Sequence, residues 1–329
     1  MSGTIGNKIK MSIFGQSHAN AIGVVIDGLE AGLKIDEEQL QNFLDRRAPG
    51  KDEFSTIRKE PDKVEFLSGL VNGKTCGAPI CAIIKNTNVK KNDYKNFENI
   101  PRPGHADFTS FIKFGESMDK SGGAQFSGRM TAPMCIAGGI AMQQLKILGI
   151  DIIARIDEIA GVKGASMFNK ITEAKKEGDS VGGVIKCEIT GMPKGIGDAL
   201  FGGIEGRISQ SIFGIPAVKG IEFGSGFEGS QKRGSCNNDD FIAVDDEIKT
   251  VTNNHGGILG GISSGMPIVF RVAFKPTPSI SRLQRSVNLK TNECVDIEIN
   301  GRHDPCIVPR AVPVVEAMAA FAIYDMICE

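Results

Sequence analysis

Two long apolar stretches at helical spacing constrain what this 329-residue chain can fold into. Residues 131–148 are rich in Ala, Met, Ile and Leu and end at Gly149, and residues 312–327 have a similar composition. A helix that is apolar on nearly every side has to be covered by other elements. Neither stretch reaches about 18 uninterrupted apolar residues, and the first residues of the chain lack the apolar core of a signal peptide. Both stretches are therefore predicted to be core helices of a protein that is neither membrane-spanning nor exported.

Strand and helix patterns are mixed along the rest of the chain. The predicted strands are residues 22–27, 181–190, 217–223 and 268–275, and the predicted helices are residues 36–47 and 198–212. A strand, a glycine turn and a helix follow one another twice, which predicts an internal repeat. Because a sustained β-α-β alternation is absent, the predicted class is α+β. Residues 86–99 and 230–246 are predicted loops, and without a linker residues 1–329 are expected to form a single domain.

The charge of the chain is nearly balanced, with 38 Lys and Arg against 39 Asp and Glu, which leaves a net charge of −1. This balance gives no general attraction to nucleic acid or to an anionic membrane, so any anion site has to be local. The eight cysteines show neither a CxxC pair nor the spacing of a zinc site. We expect free thiols in a reducing cytoplasm and no bound metal.

The chain has only four histidines, and each lies in a polar segment that contains glycine or serine: His18, His105, His255 and His303. Histidine has the ordinary pKa nearest to neutrality, and residues 102–107 and 301–305 combine it with Arg and Asp. This pattern indicates acid–base chemistry on an anion. A surface loop remains open for His105, as does a simple turn held by an Arg–Asp pair for residues 301–305, and His255 is interpreted as a loop residue.

Several arginines stand beside or near glycine, proline or serine: Arg46, Arg47, Arg58, Arg102, Arg129, Arg302 and Arg310. Their planar donors match carboxylate and phosphate groups, so we interpret several of them as inward-pointing anion ligands. Residues 121–129 lead into a helix and residues 275–279 end a strand, and both segments are predicted phosphate cradles. Two cradles imply either a phosphorylated substrate with a phosphorylated cofactor, or one large nucleotide.

Two familiar motifs are matched without the context that they need. Residues 224–229 fit the dinucleotide pattern GxGxxG, but the residues after them do not open a helix that would receive a pyrophosphate. Residues 261–265 fit the GxSxG pattern of serine hydrolases, but Met266, Pro267 and a strand follow where a helix is required. Neither a dinucleotide site nor a nucleophilic serine is predicted.

Several segments together resemble the chorismate synthase family, and the resemblance runs nearly from end to end. They are residues 14–28, 46–50, 60–62, 102–107, 256–265, 275–280 and 301–318. The resemblance implies a sandwich with helices between antiparallel sheets, assembled as a homotetramer. It also implies a lyase of the shikimate pathway that converts 5-enolpyruvylshikimate 3-phosphate to chorismate and phosphate by anti-1,4 elimination. Such enzymes require reduced FMN without net redox change. We expect an external flavin reductase to supply it, with NADPH involved only indirectly.

The resemblance further implies roles for individual residues. His18 would protonate the leaving phosphate, His105 would protonate or stabilise the flavin, and Asp304 would help to move the substrate proton through flavin N5. Ser17 and Ser127 would support these groups by hydrogen bonding. The implied substrate ligands are Arg46, Arg47, Arg102, Arg129 and Arg302, of which Arg47 also corresponds to an arginine linked to NADPH. The implied flavin ligands are Gln125, Phe126, Ser127, Cys236, Asn237, Gly260, Lys275, Pro276, Thr277, Pro278, Ser279 and Arg302. The chain departs from the usual family pattern at Gln16, Gln125 and Phe126.

Two alternatives remain open at this stage. A flavin- or NAD(P)-dependent oxidoreductase acting on a phosphorylated carboxylate would share the cradles but would consume reducing equivalents in stoichiometric amounts. A non-enzymatic protein that binds a phosphorylated ligand would not need the histidines for its function.

Overall fold

The computed structural model describes residues 3–50, 60–87, 99–299 and 304–329. In the first part of the chain the strands are β1 (Thr4–Ile5), β2 (Lys10–Gly15), β3 (Ala21–Asp27), β4 (Val64–Ser68), β5 (Leu70–Val71), β6 (Lys74–Thr75) and β7 (Ile80–Lys85). The helices are α1 (Glu37–Arg47), α2 (Asp107–Phe114) and α3 (Thr131–Ile147), with 3-10 turns at Gly115–Ser117, Ala124–Phe126 and Gly128–Met130.

The remainder of the chain follows the same mixture of elements. Its strands are β8 (Asp151–Ile159), β9 (Gly183–Thr190), β10 (Val218–Phe223), β11 (Phe241–Val244), β12 (Glu247–Thr250), β13 (Ile258–Leu259), β14 (Ile262–Ser263), β15 (Ile268–Phe274), β16 (Gln284–Val287) and β17 (Cys294–Ile297). Its helices are α4 (Met167–Lys176), α5 (Ile204–Phe213), α6 (Gly226–Gly229), α7 (Gly234–Asn237) and α8 (Val308–Cys328), with a 3-10 turn at Leu200–Gly202.

Two antiparallel sheets pack against the helices. One sheet has the strand order β1-β2-β3-β7-β4 and the other has the order β10-β15-β9-β8. In the second sheet, Val272 of β15 pairs with Ile185 of β9, which in turn pairs with Ile156 of β8. Burial alternates along β15 from Ile268 to Phe274, as expected of a strand with one face on the core.

Helices α3 and α8 pack directly against each other in the core. A Cβ atom added at Gly138 of α3 would lie 2.3 Å from the Cα atom of Ala317 in α8, so glycine allows this close approach of the two backbones. Helix α8 is long and apolar enough to cross a membrane, but 83% of its most apolar window is buried inside the fold. The prediction that both apolar stretches are core helices is therefore confirmed.

The two parts of the chain share one topology. The first runs β2, β3, α1, β4, β7, α3, and the second runs β8, β9, α5, β10, β15, α8. The strands are hydrogen-bonded in the matching orders β2-β3-β7-β4 and β8-β9-β15-β10. This correspondence confirms both the α+β class and the predicted internal repeat. The expectation that residues 1–329 form a single domain stays a prediction.

Local signals in the sequence explain where the helices begin. Asp36 is the N-cap of α1 and accepts a hydrogen bond from the Gln39 amide at 2.9 Å, while two acidic residues occupy the first turn and two arginines the last. Helix α8 begins at Val308 and not at residue 312, because Pro309 is readily accommodated in the first turn of a helix.

Two predictions of local structure were wrong in part. Residues 198–212 form a 3-10 turn followed by α5, because Gly202 and Gly203 interrupt the helical pattern. Residues 230–246 are not a continuous loop, since they contain α7 and β11. Most of the predicted loop at 86–99 lies outside the described residues. Arg58, Arg302 and His303 also lie outside them.

Candidate active site

A cavity of about 260 Å³ lies where the N-termini of α3 and α8 come together. Its lining joins the two halves of the repeat: Arg47, Ser127 and Arg129 come from the first half, and Thr277, Asp304 and Arg310 from the second. The first turns of both helices contribute, through Thr131 and Arg310. Because a helix N-terminus carries free N–H groups and the positive end of the helix dipole, this arrangement favours an anion.

A buried carboxylate organises the arginines of the cavity. Asp62 accepts from Nη1 of Arg47 at 2.7 Å and from Nη1 of Arg129. Burial acts to raise the pKa of Asp62, but the two guanidinium groups hold it below its ordinary value. Arg47 also donates from Nε to Thr131 at 3.0 Å and from Nη2 to the Gly128 carbonyl at 3.1 Å. All three of its nitrogens are therefore engaged by the protein.

Arg129 is held differently, with one nitrogen left over. Its Nε donates to Oδ1 of Asn86 at 3.0 Å and lies 3.1 Å from Oε2 of Glu60. Its Nη2 is buried without a hydrogen-bond partner among the described residues, and so is Oγ1 of Thr277. Both residues line the cavity. An unsatisfied buried polar group costs free energy, so two of them at one cavity indicate a missing polar ligand.

Asp304 and Arg310 form an ion pair that also lines the cavity. Nη1 of Arg310 lies 2.5 Å from Oδ2 of Asp304, and Nε of Arg310 donates to the Arg47 carbonyl at 3.2 Å. Burial lowers the pKa of Arg310, although the carboxylate of Asp304 opposes this shift. The pair fixes the start of α8 against the end of α1.

His18 lies in the connection between β2 and β3 and faces a glycine loop. Oγ of the buried Ser17 lies 2.9 Å from Nδ1 of His18. A Cβ atom at Gly122 would lie 2.5 Å from Cε1 of the imidazole, and Gly122 has a φ of +64°, so this position requires glycine both for space and for backbone conformation. The close packing fixes the ring on its loop.

His105 precedes α2 and is paired with a carboxylate. Its Nδ1 lies 2.5 Å from Oδ1 of Asp107, and Arg102 holds the same carboxylate through Nε at 2.7 Å. Burial acts to raise the pKa of Asp107, but the hydrogen bonds from Arg102 and His105 hold it well below its ordinary range. With Nδ1–H donated to Asp107, Nε2 is the nitrogen left for proton exchange.

Arg102 connects the surroundings of the two histidines. Its Nη2 donates to the carbonyl of Gly122, the residue under His18, at 2.7 Å. Its Nη1 donates to Oγ of Ser279 at 3.3 Å, and Nζ of Lys275 donates to the Gly104 carbonyl. The loop of His105, the loop under His18 and the predicted cradle at residues 275–279 are thus joined.

Other predicted site residues lie elsewhere in the structure. Arg46 donates to both carboxylate oxygens of Glu316, at 2.6 and 3.1 Å. Cys236 and Asn237 belong to α7, and Gly260 belongs to the turn between β13 and β14. The ligand roles of Arg46, Cys236, Asn237, Gly260 and the undescribed Arg302 stay predictions.

One ring nitrogen of His255 has a local partner, and Nε2 is buried without a hydrogen-bond partner among the described residues. Nδ1 of His255 accepts from the Gly257 amide at 2.8 Å, and Nε2 lies 3.8 Å from a carboxylate oxygen of Asp239. The predicted assignment of His255 to a loop agrees with this position.

Sequence reasoning missed the residues that hold the arginines and the His18 loop. In the sequence Asp62 stands out only as part of the segment 60–62, and Asn86 only as the start of a polar segment. The carbonyls that Asn86 binds belong to Gln16 and Ala19, 70 and 67 positions away, so no local pattern indicates its role.

Comparison with known proteins shows the family of the chain. The family model of chorismate synthase matches residues 9–328. Chorismate synthases of Lachnospira eligens and Dehalococcoides mccartyi are 46% and 44% identical to the chain, covering 99% of it and 95% and 96% of their own lengths. That of Korarchaeum cryptofilum is 43% identical over 99% of the chain and 98% of its own length. A crystal structure of chorismate synthase, 26% identical, superposes with a TM-score of 0.74 over 98% of the chain and 92% of its own length.

These similarities place the protein among the lyases, and they set aside the oxidoreductase and the non-enzymatic binding protein. The chain belongs to the chorismate synthase family. Its activity is the formation of chorismate in the shikimate pathway.

Proposed function

We propose that the cavity between α3 and α8 binds 5-enolpyruvylshikimate 3-phosphate beside reduced FMN and eliminates phosphate in an anti-1,4 reaction. The observation that carries this proposal is the pair of buried, unpartnered groups, Nη2 of Arg129 and Oγ1 of Thr277, on one cavity at two helix N-termini. Both atoms are hydrogen-bond donors that a phosphate or carboxylate oxygen satisfies. An anionic ligand removes the unfavourable energy of both groups at once.

The arginines stabilise the negative charge that collects on the departing phosphate. Asp62 fixes the planes of Arg47 and Arg129, so their donors need little reorganisation when charge develops. Because every nitrogen of Arg47 and of Arg102 already donates to a protein group, we assign both residues mainly to positioning and to the positive field. Arg129 has the free nitrogen and is the proposed direct ligand.

His18 is the proposed acid that protonates the leaving phosphate. Oγ of Ser17 lies 2.9 Å from Nδ1 and helps to hold the imidazole on its loop. His105 is the proposed second acid and acts at the flavin, with Asp107 holding its Nδ1. Asp304, held by Arg310, is the proposed acceptor in the path of the C6 proton. General acid–base groups of this kind contribute rate factors of about 10² to 10⁴.

The lining of the cavity has the mixed character that suits contact with a flavin. Its walls combine apolar side chains, including Ile215, Phe274 and Val314, with the unpartnered hydroxyl of Thr277. Residues 275–279 and 125–127 are the proposed ligands of FMN on this chain. When bound, reduced FMN supplies an electron-rich ring that also accepts a proton. We further propose that a separate reductase supplies the reduced flavin in the cytoplasm, with NADPH acting only through that reductase.

An anaerobic assay with pre-reduced FMN tests the reaction class. We expect many equivalents of chorismate and inorganic phosphate for each equivalent of reduced FMN, measured by absorbance and by phosphate release. One product per reduced flavin would contradict the proposal and would indicate stoichiometric consumption of reductant.

Replacement of single histidines tests the assigned acids. We expect His18→Ala and His105→Ala each to lower kcat by about 10² to 10⁴ while changing the substrate dissociation constant by less than about tenfold. His255→Asn, which keeps an acceptor for the Gly257 amide, is the matched control and should turn over like the parent. Parental turnover by His18→Ala would refute the assignment of His18.

A further inference from the structure

We infer that Asn86 is a positioning residue that couples the proposed acid, His18, to the proposed phosphate ligand, Arg129. The inference rests on the proposed function of those two residues. Asn86 directly follows β7 and is half-buried, and it has no assigned role in the proposed reaction. Its side chain bonds Arg129 and the backbone on either side of His18.

The amide nitrogen of Asn86 holds the loop of His18. Nδ2 donates to the carbonyl of Ala19 at 2.8 Å and to that of Gln16 at 3.2 Å. These two carbonyls lie on either side of His18 in the chain. The backbone amide of Asn86 adds a third bond, to the Asn20 carbonyl at 3.0 Å.

The amide oxygen of Asn86 holds the arginine. Oδ1 accepts from Nε of Arg129 at 3.0 Å, while Asp62 engages Nη1 of the same guanidinium group. With these two positions held, the plane of the guanidinium is fixed, and Nη2 is the one nitrogen of Arg129 without a partner among the described residues. The orientation of the amide is unambiguous, because a flipped side chain would oppose its oxygen to two carbonyls and its NH₂ to an N–H donor.

One small side chain therefore sets the spacing between the proton donor and the ligand of the leaving group. Displacement of a catalytic group by about 1 Å can cost about 10² in rate. No other amino acid of similar size offers both two donors and an acceptor in this geometry. Aspartate has the same shape and keeps the acceptor for Arg129, but it lacks both donors to the loop.

The test is a pair of variants, Asn86→Asp and Asn86→Ala, each made in the parent and in the His18→Ala protein. We expect each to lower kcat of the parent by about 10- to 100-fold. In the His18→Ala background we expect a clearly smaller fold loss of kcat, because the part that acts through His18 is gone and only the positioning of Arg129 remains. The pH dependence of kcat should shift in the Asn86 variants of the parent, and unfolding temperatures show whether each variant is folded.

Gln143 provides the matched control, since its side-chain amide also forms hydrogen bonds with backbone groups. Its Oε1 accepts from the Asp36 amide at 2.9 Å and its Nε2 donates to the Asp36 carbonyl at 2.8 Å, away from the cavity. Gln143→Ala should leave kcat and its pH dependence unchanged in the parent.

The outcomes separate this inference from the proposed function. Parental turnover by His18→Ala overturns the acid assignment and the inference together. Lost turnover in His18→Ala with parental turnover in folded Asn86→Asp overturns the inference alone. Equal fold losses for the Asn86 variants in the two backgrounds also overturn it, because they would indicate a general structural effect.

Discussion

At the scale of single residues, the site depends on carboxylates that the sequence pattern did not single out. Asp62 is fully buried between two arginines, and no apolar group could hold both guanidinium planes in place. The histidines and arginines of the site could be predicted from the sequence, because these residue types are typical of acid–base catalysis and anion binding. The partners that aim them could not be found, since the bonds of Asp62 and Asn86 join residues up to 70 positions apart.

Removal of the Asp62 charge should be strongly destabilising. We expect Asp62→Asn to lower the free energy of unfolding by about 3–5 kcal/mol at pH 7, since it leaves buried arginines without their counter-charge. Chemical denaturation measures this change. The control Glu65→Gln removes an exposed ion pair with Lys85 and should cost less than about 1 kcal/mol.

The stability that the Asp62 carboxylate contributes should depend on pH, and the direction of that dependence follows from its pKa. The pKa of Asp62 is lower in the folded protein than in the unfolded chain, where it is about 3.9. Its stabilisation is therefore fully present above about pH 4 and is lost as the pH falls through the folded-state value. The stability difference between parent and Asp62→Asn should be constant from pH 6 to 8 and should shrink in acid. A difference that grows in acid would contradict this assignment.

A substitution of Thr277 should affect ligand affinity and protein stability in different ways. Thr277→Val removes a buried hydroxyl that has no partner among the described residues, so the free protein should be unchanged or stabilised by up to about 1 kcal/mol. Affinity for reduced FMN or substrate should fall by about fivefold, because one ligand hydrogen bond of about 1 kcal/mol is lost. Thermal unfolding and ligand titration measure the two effects. Weaker stability with unchanged affinity would show that the hydroxyl serves the fold.

At the scale of elements, the packing of α3 on α8 has no tolerance for extra volume at Gly138. We expect Gly138→Ala to destabilise the protein by about 1–3 kcal/mol through overpacking against Ala317, although alanine is the better helix former. Gly206 of α5 is the control, because its Cβ position is nearly open, with the nearest atom 3.9 Å away. Gly206→Ala should stabilise by about 0.5–1 kcal/mol. Denaturation midpoints of both variants measure the contrast.

The elements themselves were largely predictable, and the reasons are local. The acidic first turn and the arginines of α1, the apolar composition of α3 and the alternation of β15 are properties of short windows. The break before α5 and the strand at Phe241–Val244 were missed. That strand is exposed along its whole length, so it lacks the alternating burial from which strands are recognised.

At the scale of the whole molecule, a projecting hairpin predicts self-association. Strands β11 and β12 form a hairpin whose residues are almost all exposed, including the large side chains of Phe241 and Ile248. Exposed apolar surface of this kind is typical of interfaces. The resemblance to the family implies a homotetramer, and we propose the hairpin as part of its interface. We expect light scattering to give a mass in solution of about four times the 35.1 kDa of the chain.

Charged residues on the hairpin should weaken that assembly. The double variant Phe241→Asp with Ile248→Asp should shift the protein to smaller species at the same concentration. Lys176→Glu, a charge change at the end of α4, is the control and should leave the mass unchanged. A hairpin variant that stays tetrameric would place the interface elsewhere.

The repeated topology has a consequence for how the enzyme fails. Arg47 and Arg129 reach the cavity from one copy of the repeat, and Thr277 and Arg310 reach it from the other. Neither copy holds a complete anion site. The activity therefore depends on how accurately the two copies are positioned relative to each other. A small change in the packing of α3 against α8 should abolish activity while both sheets remain folded. On heating, we therefore expect activity to be lost at a lower temperature than secondary structure.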